Sequence, residues 1–338
     1  MDSRNCSLPA PETYSNLMHY SHIVSFPVYF VTLVILFREK SPIFRTYKYF
    51  IIVHIFINMI SETYVTFFML PMTYLPYPLF RTTGWLAKMG FSGLIQFYGL
   101  SHSVTSTIGS ILEMFYYRLR VTVVLQETNR FITFCKYQLW VHWILVLIRL
   151  TLEMATLNRG IRIMSETTIA LLQENPDLPK ELTCHSVVIA LPNDIYFQIV
   201  ISTYAILIAI SFSGAIGPMV YIIKFITKTK LMSVETIKLQ KILIVSLFIQ
   251  CGIHSIFIIV PTFVQVYAMF FAEDIPMNEF AQMLLLSVAY HGFLSTCAMI
   301  AFTKPIRDKV FFCCSRRNQT SAEASNVLSS NSVPPAPS

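Results

Sequence analysis

Residues 242–271 read ILIVSLFIQCGIHSIFIIVPTFVQVYAMFF, thirty positions without an Asp, Glu, Lys or Arg. About 20 apolar residues suffice for a helix to cross the hydrocarbon of a bilayer, so this stretch can span and still tilt or protrude. Pro261 in its second half predicts a kink. Six more mostly apolar runs lie between charged segments, at 17–37, 50–69, 89–117, 137–157, 195–223 and 280–302. Their length and regularity do not fit the strands of a membrane barrel, which alternate in polarity over about 10 residues. The expectation is an all-α, multi-pass membrane protein, a seven-transmembrane helix bundle.

Composition agrees. Of 338 residues, 54% are hydrophobic and 13% charged, against about 25% charged in a soluble domain. So little charge cannot solvate a globular exterior, which excludes a soluble two-domain enzyme. Ten glycines argue against Gly-rich phosphate loops and against transporters built on broken helices. Seven cysteines over this length are no disulfide scaffold. The chain lacks His-Glu-x-x-His, Gly-x-Ser-x-Gly, a phosphate loop and Cys-x-x-Cys. His19 and His22 have the spacing of a chelating pair but no third ligand nearby. No catalytic residue, metal or cofactor is expected, and the protein reads as not an enzyme.

Loop charges predict the orientation. Segments 38–49, 118–136, 224–241 and the tail after 302 hold 18 Lys+Arg and 5 Asp+Glu, whereas the N-terminus and the other loops hold 6 and 10. The basic excess places the first set in the cytoplasm, giving an outside N-terminus and an inside C-terminus. The net charge of +7 is then a topology signal, with the lipid bilayer as partner and no nucleic acid. The chain divides into an extracellular N-terminus (1–16), which is polar and does not read as a signal peptide, a transmembrane domain (17–302), a membrane-surface helix (303–314) and a disordered cytoplasmic tail (315–338). Asn5 begins a glycosylation sequon on the outer side. Cys6 and Cys184 are the outward cysteines, which either pair or remain free thiols. Cys313 and Cys314 sit where palmitoylation would anchor the surface helix.

Polar residues inside spans are costly, so each is a candidate for function. His54, Asn58 and Glu62 fall at i, i+4, i+8 of the second span, a polar stripe that serves either as ligand contact and switch or as interhelical glue. Arg149 and Glu153 stand at i, i+4 in the fourth span and either neutralise one another or bind ligand. Gln96 and His102 in the third span, His254 in the sixth, and Tyr290 and His291 in the seventh complete the ligand-binding candidates. All could line one cavity.

Four stretches resemble a known family. They are Thr66-Phe67-Phe68-Met69-Leu70-Pro71 with Tyr77-Pro78-Leu79-Phe80; Glu113 with Arg118; Ser233-Val234-Glu235-Thr236 through Leu239-Gln240-Lys241 to Gln250 and Pro261; and His291-Gly292-Phe293-Leu294-Ser295-Thr296 with Lys304-Pro305-Ile306-Arg307. In this order and spacing the chain resembles the nematode serpentine chemoreceptors of the Str superfamily, closest to classes I and H (Sri and Srh). It departs from them at Ile306, where the family usually has Tyr.

The resemblance implies a G-protein-coupled chemosensory receptor for an odorant or other small molecule, in the plasma membrane of sensory neurons and their cilia. A heterotrimeric G protein would then meet the cytoplasmic face, where Arg118, Arg120, Lys238 and Lys241 are candidate contacts. A receptor for an internal peptide or transmitter is the alternative within signalling. A ligand-gated channel or transporter is the alternative outside it. The segment 158–194 reads as a long outer loop, a possible lid.

Overall fold

The computed structural model describes residues 10–40, 45–74, 79–123, 130–176, 180–189, 194–228, 234–271, 278–303 and 306–310. Seven long helical segments run through them. The first is α1 (Glu12–Arg38), which opens after Pro11 with Glu12 in its first turn, an arrangement suited to the positive end of a helix. The second is α2 (Tyr47–Thr63), continued by a π-helical turn over Tyr64–Met69. A short α3 (Trp85–Lys88) precedes the third, α4 (Gly93–Thr122), whose N-cap Ser92 accepts a hydrogen bond from the Ile95 amide. The fourth and fifth are α5 (Arg130–Glu174) and α6 (Ile195–Lys228). Asp194 caps α6 by accepting from the amides of Tyr196 and Phe197, both at 3.0 Å. The sixth span joins α7 (Val234–His254), a π-helical turn (Ser255–Ile259) and α8 (Val260–Phe271), and α9 (Asn278–Phe302) is the seventh.

Six of these segments are long and apolar enough to cross a membrane. The exception is α4, and packing supplies the reason. It lies against α2, α5, α6 and α7, so protein rather than lipid surrounds it, and His102, Ser103 and Ser110 find partners on α5 and α2. The main apolar cluster, with Leu36, Ile55, Met114, Phe115 and Leu247 among its members, sits between α1, α2, α4, α7 and α9.

Two features depart from the sequence reading. The first is a small antiparallel sheet, β1 (Pro71–Thr73), β2 (Leu79–Thr82) and β3 (Val187–Ile189), in that order. Its register pairs Pro71 with Thr82 and Leu79 with Ile189. Leu70, in the left-handed region at φ 43°, turns the chain from the π-helical turn into β1, a conformation that costs a non-glycine residue about 1 kcal/mol or more. The sheet covers the end of the bundle where α2 and α5 finish and α4 and α6 begin. There β1 packs on α9 and β3 on α4 and α5.

The second departure is the length of α5. Its 45 residues make about 68 Å of helix, more than twice the ~30 Å of hydrocarbon. The charges from Asn158 to Arg162 suggested an exit into a loop. Instead the helix continues, because Met164 and Thr168 recur at helical spacing and Met164 packs into the cluster beneath the sheet. Cys135, in the segment 118–136 counted among the loops, is likewise buried within α5. Beyond α9, residues 306–310 are helical and pack back on the bundle, with Ile306 buried and Lys309 paired with Glu39. Cys313 and Cys314 lie outside the described residues, as do Asn5 and Cys6.

Close packing of α9 on α1 and α2 turns on Gly292. A Cβ there would stand 2.6 Å from Tyr29 Oη and 3.0 Å from Asn58 Cβ, whereas one at Gly252 would meet nothing within 4 Å. Gly292→Val is expected to destabilise the protein by about 1–3 kcal/mol. Gly252→Ala is expected to be neutral or to stabilise by up to about 1 kcal/mol. Thermal unfolding of the two full-length variants in detergent checks this, and equal midpoints would refute the close approach.

Candidate functional site

The polar residues singled out in the spans do not gather in one cavity. They form three clusters at different helix interfaces.

The first joins α1 and α2. Glu62 is fully buried and accepts hydrogen bonds from Ser25 Oγ at 2.6 Å and Tyr29 Oη at 2.7 Å. Ser21, Ser25, Tyr29 and Thr32 share the buried face of α1, a stripe at three- and four-residue spacing that could have been read from the sequence and was not. Thr66 Oγ1 donates to the Glu62 carbonyl at 2.8 Å and also stands 2.6 Å from His22 Nε2. His22 is therefore tied to a hydroxyl instead of serving as half of a chelating pair.

A row of buried histidines, one each from α2, α7 and α9, makes the second. Ring centroids lie 5.4 Å apart for His54 and His254, and 5.2 Å for His254 and His291. His54 Nδ1 is 2.7 Å from Ser110 Oγ, and its Nε2 is 3.1 Å from Asn58 Nδ2. The Ser110 hydroxyl donates to the Thr107 carbonyl, so it accepts from His54 Nδ1–H. His254 and His291 each direct Nδ1 at a backbone carbonyl, of Gln250 at 2.8 Å and Val288 at 2.6 Å. A neutral imidazole that donates through Nδ1 presents Nε2 as an acceptor. Nε2 of His254, Nε2 of His291 and Oδ1 of Asn58 all lack a partner. The cluster is thus rich in acceptors. Among the described residues, no group of three His, Cys, Asp or Glu side chains could hold a metal ion.

The third cluster spans α4, α5 and α6. Arg149 and Glu153 are buried on one face of α5, with Nε and Oε1 3.0 Å apart but without the alignment of a hydrogen bond. His102 bridges the pair, its Nε2 2.5 Å from Glu153 Oε2 and its Nδ1 3.4 Å from Arg149 Nη2. The Tyr204 ring lies 5.6 Å from the guanidinium carbon. Nearby, His142 Nδ1 is 3.2 Å from Ser211 Oγ, a contact the sequence reading missed.

The remaining candidates stand apart. Gln96 is buried and donates to the Phe91 carbonyl, and the Tyr290 hydroxyl donates to the Leu17 carbonyl. At the other end of the bundle Arg118 is buried with its guanidinium carbon 3.4 Å from the centre of the Tyr47 ring, while Glu113 accepts from Trp143 Nε1. Arg120, Lys238 and Lys241 are exposed. Cys184, packed beneath the sheet, is disulfide-bonded. Its partner lies outside the described residues, since Cys135, Cys251 and Cys297 are free.

Removing one member of a buried ion pair strands the other, at a cost of about 3–5 kcal/mol. Glu153→Gln and Arg149→Met are each expected to lose that much stability, and the double variant to recover most of it. A double-mutant cycle by thermal unfolding checks this; additive losses would show that the two charges do not depend on one another.

The family of serpentine type 7TM GPCR chemoreceptors named Srh matches residues 9–316 of the chain. No curated protein and no solved structure matches it. The matched residues include all seven long helices, among them α4, whose polarity keeps it from standing out by hydropathy. Between the two classes suggested by the motifs, the match selects class H. It is a family of receptors and not of enzymes. The chain belongs to the Srh family of serpentine seven-transmembrane G-protein-coupled chemoreceptors.

Proposed function

We propose that this receptor detects an environmental small molecule at the plasma membrane of ciliated sensory neurons and passes the signal to a heterotrimeric G protein. Membership of a chemoreceptor family supports the class of activity, and one observation carries the mechanism. Glu62 is fully buried at the α1–α2 interface, and its carboxylate oxygens are held by the hydroxyls of Ser25 and Tyr29. Hydroxyl partners can be exchanged at little cost when helices shift, so the contact has the character of a switch. Agonist then acts by binding better to the state with its inner helix ends apart, and shifts the population only by that difference in affinity.

The orientation that fits this activity puts the sheet outside and residues 306–310 inside, as the loop charges favour. On the outer side Cys184 would pair with Cys6, next to a glycan on Asn5. On the inner side the exposed Arg120, Lys238 and Lys241 offer contacts to the G protein. Arg118 would first have to leave its stack on Tyr47. Palmitoyl chains on Cys313 and Cys314 would hold the helix that follows α9 against the bilayer.

Glu62→Gln is expected to reach the cell surface normally and to lower the evoked response about tenfold, as a loss of about 1.4 kcal/mol in the difference between two states would do. A wild-type response at equal surface density would remove the switch role. Tagging the C-terminus at the natural locus tests the setting. Enrichment in exposed cilia is expected, whereas accumulation on interneuron, muscle or gut membranes would favour an internal peptide or transmitter. Ligand-evoked current that persists after G-protein signalling is disabled would favour a channel.

A further inference from the structure

Val53, Phe56, Ile60 and Phe67 recur at helical spacing along α2 and its π-helical turn, and all four are exposed, so they make one stripe turned toward hydrocarbon. The stripe does not stop where the helix does. Phe67 meets Phe68 edge-on with ring centroids 5.4 Å apart, and Phe68 meets Trp85 of α3 in the same way at 5.8 Å. From Trp85 the apolar surface continues along the chain through Met89 and Phe91 to Ile95 in the first turn of α4. Each of these four side chains is more than a third exposed.

The segment is short, but its place is fixed at both ends. The amides of Thr83 and Gly84 donate to the carbonyls of Leu70 and Met69 at 3.1 and 2.9 Å, groups that a helix end leaves open. A Cβ at Gly84 would stand 2.4 Å from the Phe68 carbonyl oxygen, so only glycine lets α3 seat this closely on the end of α2. After α3 the Gly90 amide donates to the Ala87 carbonyl and the Phe91 amide to the Leu86 carbonyl, both at 3.1 Å. With Gly90 at φ 88°, this is the Schellman closure of a helix. Leu86 is half-buried and Ala87 buried, while Trp85, Lys88 and Met89 are exposed.

So many large apolar side chains exposed to water along one segment would be out of place on a protein surface. At the end of a span they have the composition of the interfacial zone, where Trp lies at headgroup level and Lys extends its charge into water. We propose that Trp85–Phe91 is an interfacial anchor that docks on the phospholipid leaflet at the sheet end of the bundle. The Trp85 indole N–H donates to lipid ester carbonyls, Lys88 pairs with lipid phosphate, and Met89 and Phe91 reach the upper acyl chains. The occupant is lipid and not a second copy because the patch is continuous with the stripe of α2, which already faces the bilayer. The anchor holds the end of α2 at a fixed depth, and with it the π-helical turn whose Thr66 donates to the Glu62 carbonyl.

The test uses the full-length receptor in phosphatidylcholine nanodiscs, plain or with bromine placed at a chosen depth along one acyl chain. The chain has three tryptophans, so the Trp85 signal is the difference in emission between the wild type and Trp85→Phe. Bromine near the headgroup end is expected to quench that signal more than bromine at the chain end, and aqueous iodide to leave it intact. The depth so measured should place the ring about 5–10 Å into the boundary between headgroups and acyl chains. If Trp85→Phe fails to fold, Trp140→Phe combined with Trp143→Phe leaves Trp85 as the sole tryptophan and gives the same reading. Quenching by iodide and not by brominated lipid would overturn the proposal, since the patch then faces water. Shielding from both quenchers would overturn it as well, and would show that protein, such as a second copy of this chain, covers the patch.

Discussion

Hydrocarbon offers no hydrogen bonds, and that one condition organises this protein. A polar atom at the depth of the spans must find its partner inside the bundle or remain unsatisfied at a cost of a few kcal/mol. The consequence is visible in where polarity goes. The long helix without a strongly apolar stretch, α4, is packed against α2, α5, α6 and α7, while residues such as Ile23, Phe30, Ile148, Phe212 and Ile256 occupy the outer surfaces of the other helices. In a soluble protein the same sequence logic would run in reverse, with the polar helix outermost.

Each of the three polar clusters answers the condition differently. Arg149 and Glu153 cancel their charges within one helix and use His102 to join that helix to α4. Glu62 relies on hydroxyls of the neighbouring α1. In the histidine row, His254 and His291 give their protons to backbone carbonyls and leave acceptor nitrogens over, while His54 gives its proton to the Ser110 hydroxyl. The first arrangement is the most rigid, since charges removed from water hold one another strongly. The other two can rearrange at smaller cost. A receptor needs both kinds, a part that keeps the bundle in register and a part with more than one tolerable state.

Much of the fold was legible in the sequence because span length and charge placement are set by the bilayer and not by details of packing. Residues 242–271 announce a membrane helix with no neighbour in view. The stripe of His54, Asn58 and Glu62 was legible for the same reason: three polar residues at i, i+4, i+8 can share only the side of α2 turned away from lipid. Helix rotation was another matter. The bundle interior is no more apolar than the lipid, so hydrophobic periodicity says little about which polar residues meet. Close approaches such as that of Gly292 to Tyr29 and Asn58 decide it. That is why His102, His254 and Tyr290, which could have lined one cavity, stand at different interfaces. The C-terminal half of α5 was missed because charged residues such as Arg159 and Arg162 interrupt an apolar run without ending the helix. The sheet was missed because three strands of three or four residues are too short to carry an alternating pattern.

The polarity of α4 reaches back to how the chain is made. Membrane insertion during synthesis sorts each segment by its free energy of transfer, and Ser, Thr, Gln and His at mid-span weigh against entry. By that criterion α4 is a poor candidate alone, while α2 before it and α5 after it are good ones. The helix at the centre of the finished bundle therefore depends on its neighbours to enter the membrane. Its His102 acquires the Glu153 carboxylate, and the Ser110 oxygen its His54 donor, only when α5 and α2 are in place. The order of biogenesis is thus written into the same contacts that line the interior, and a substitution there can cost the cell the receptor before it costs the receptor its signal.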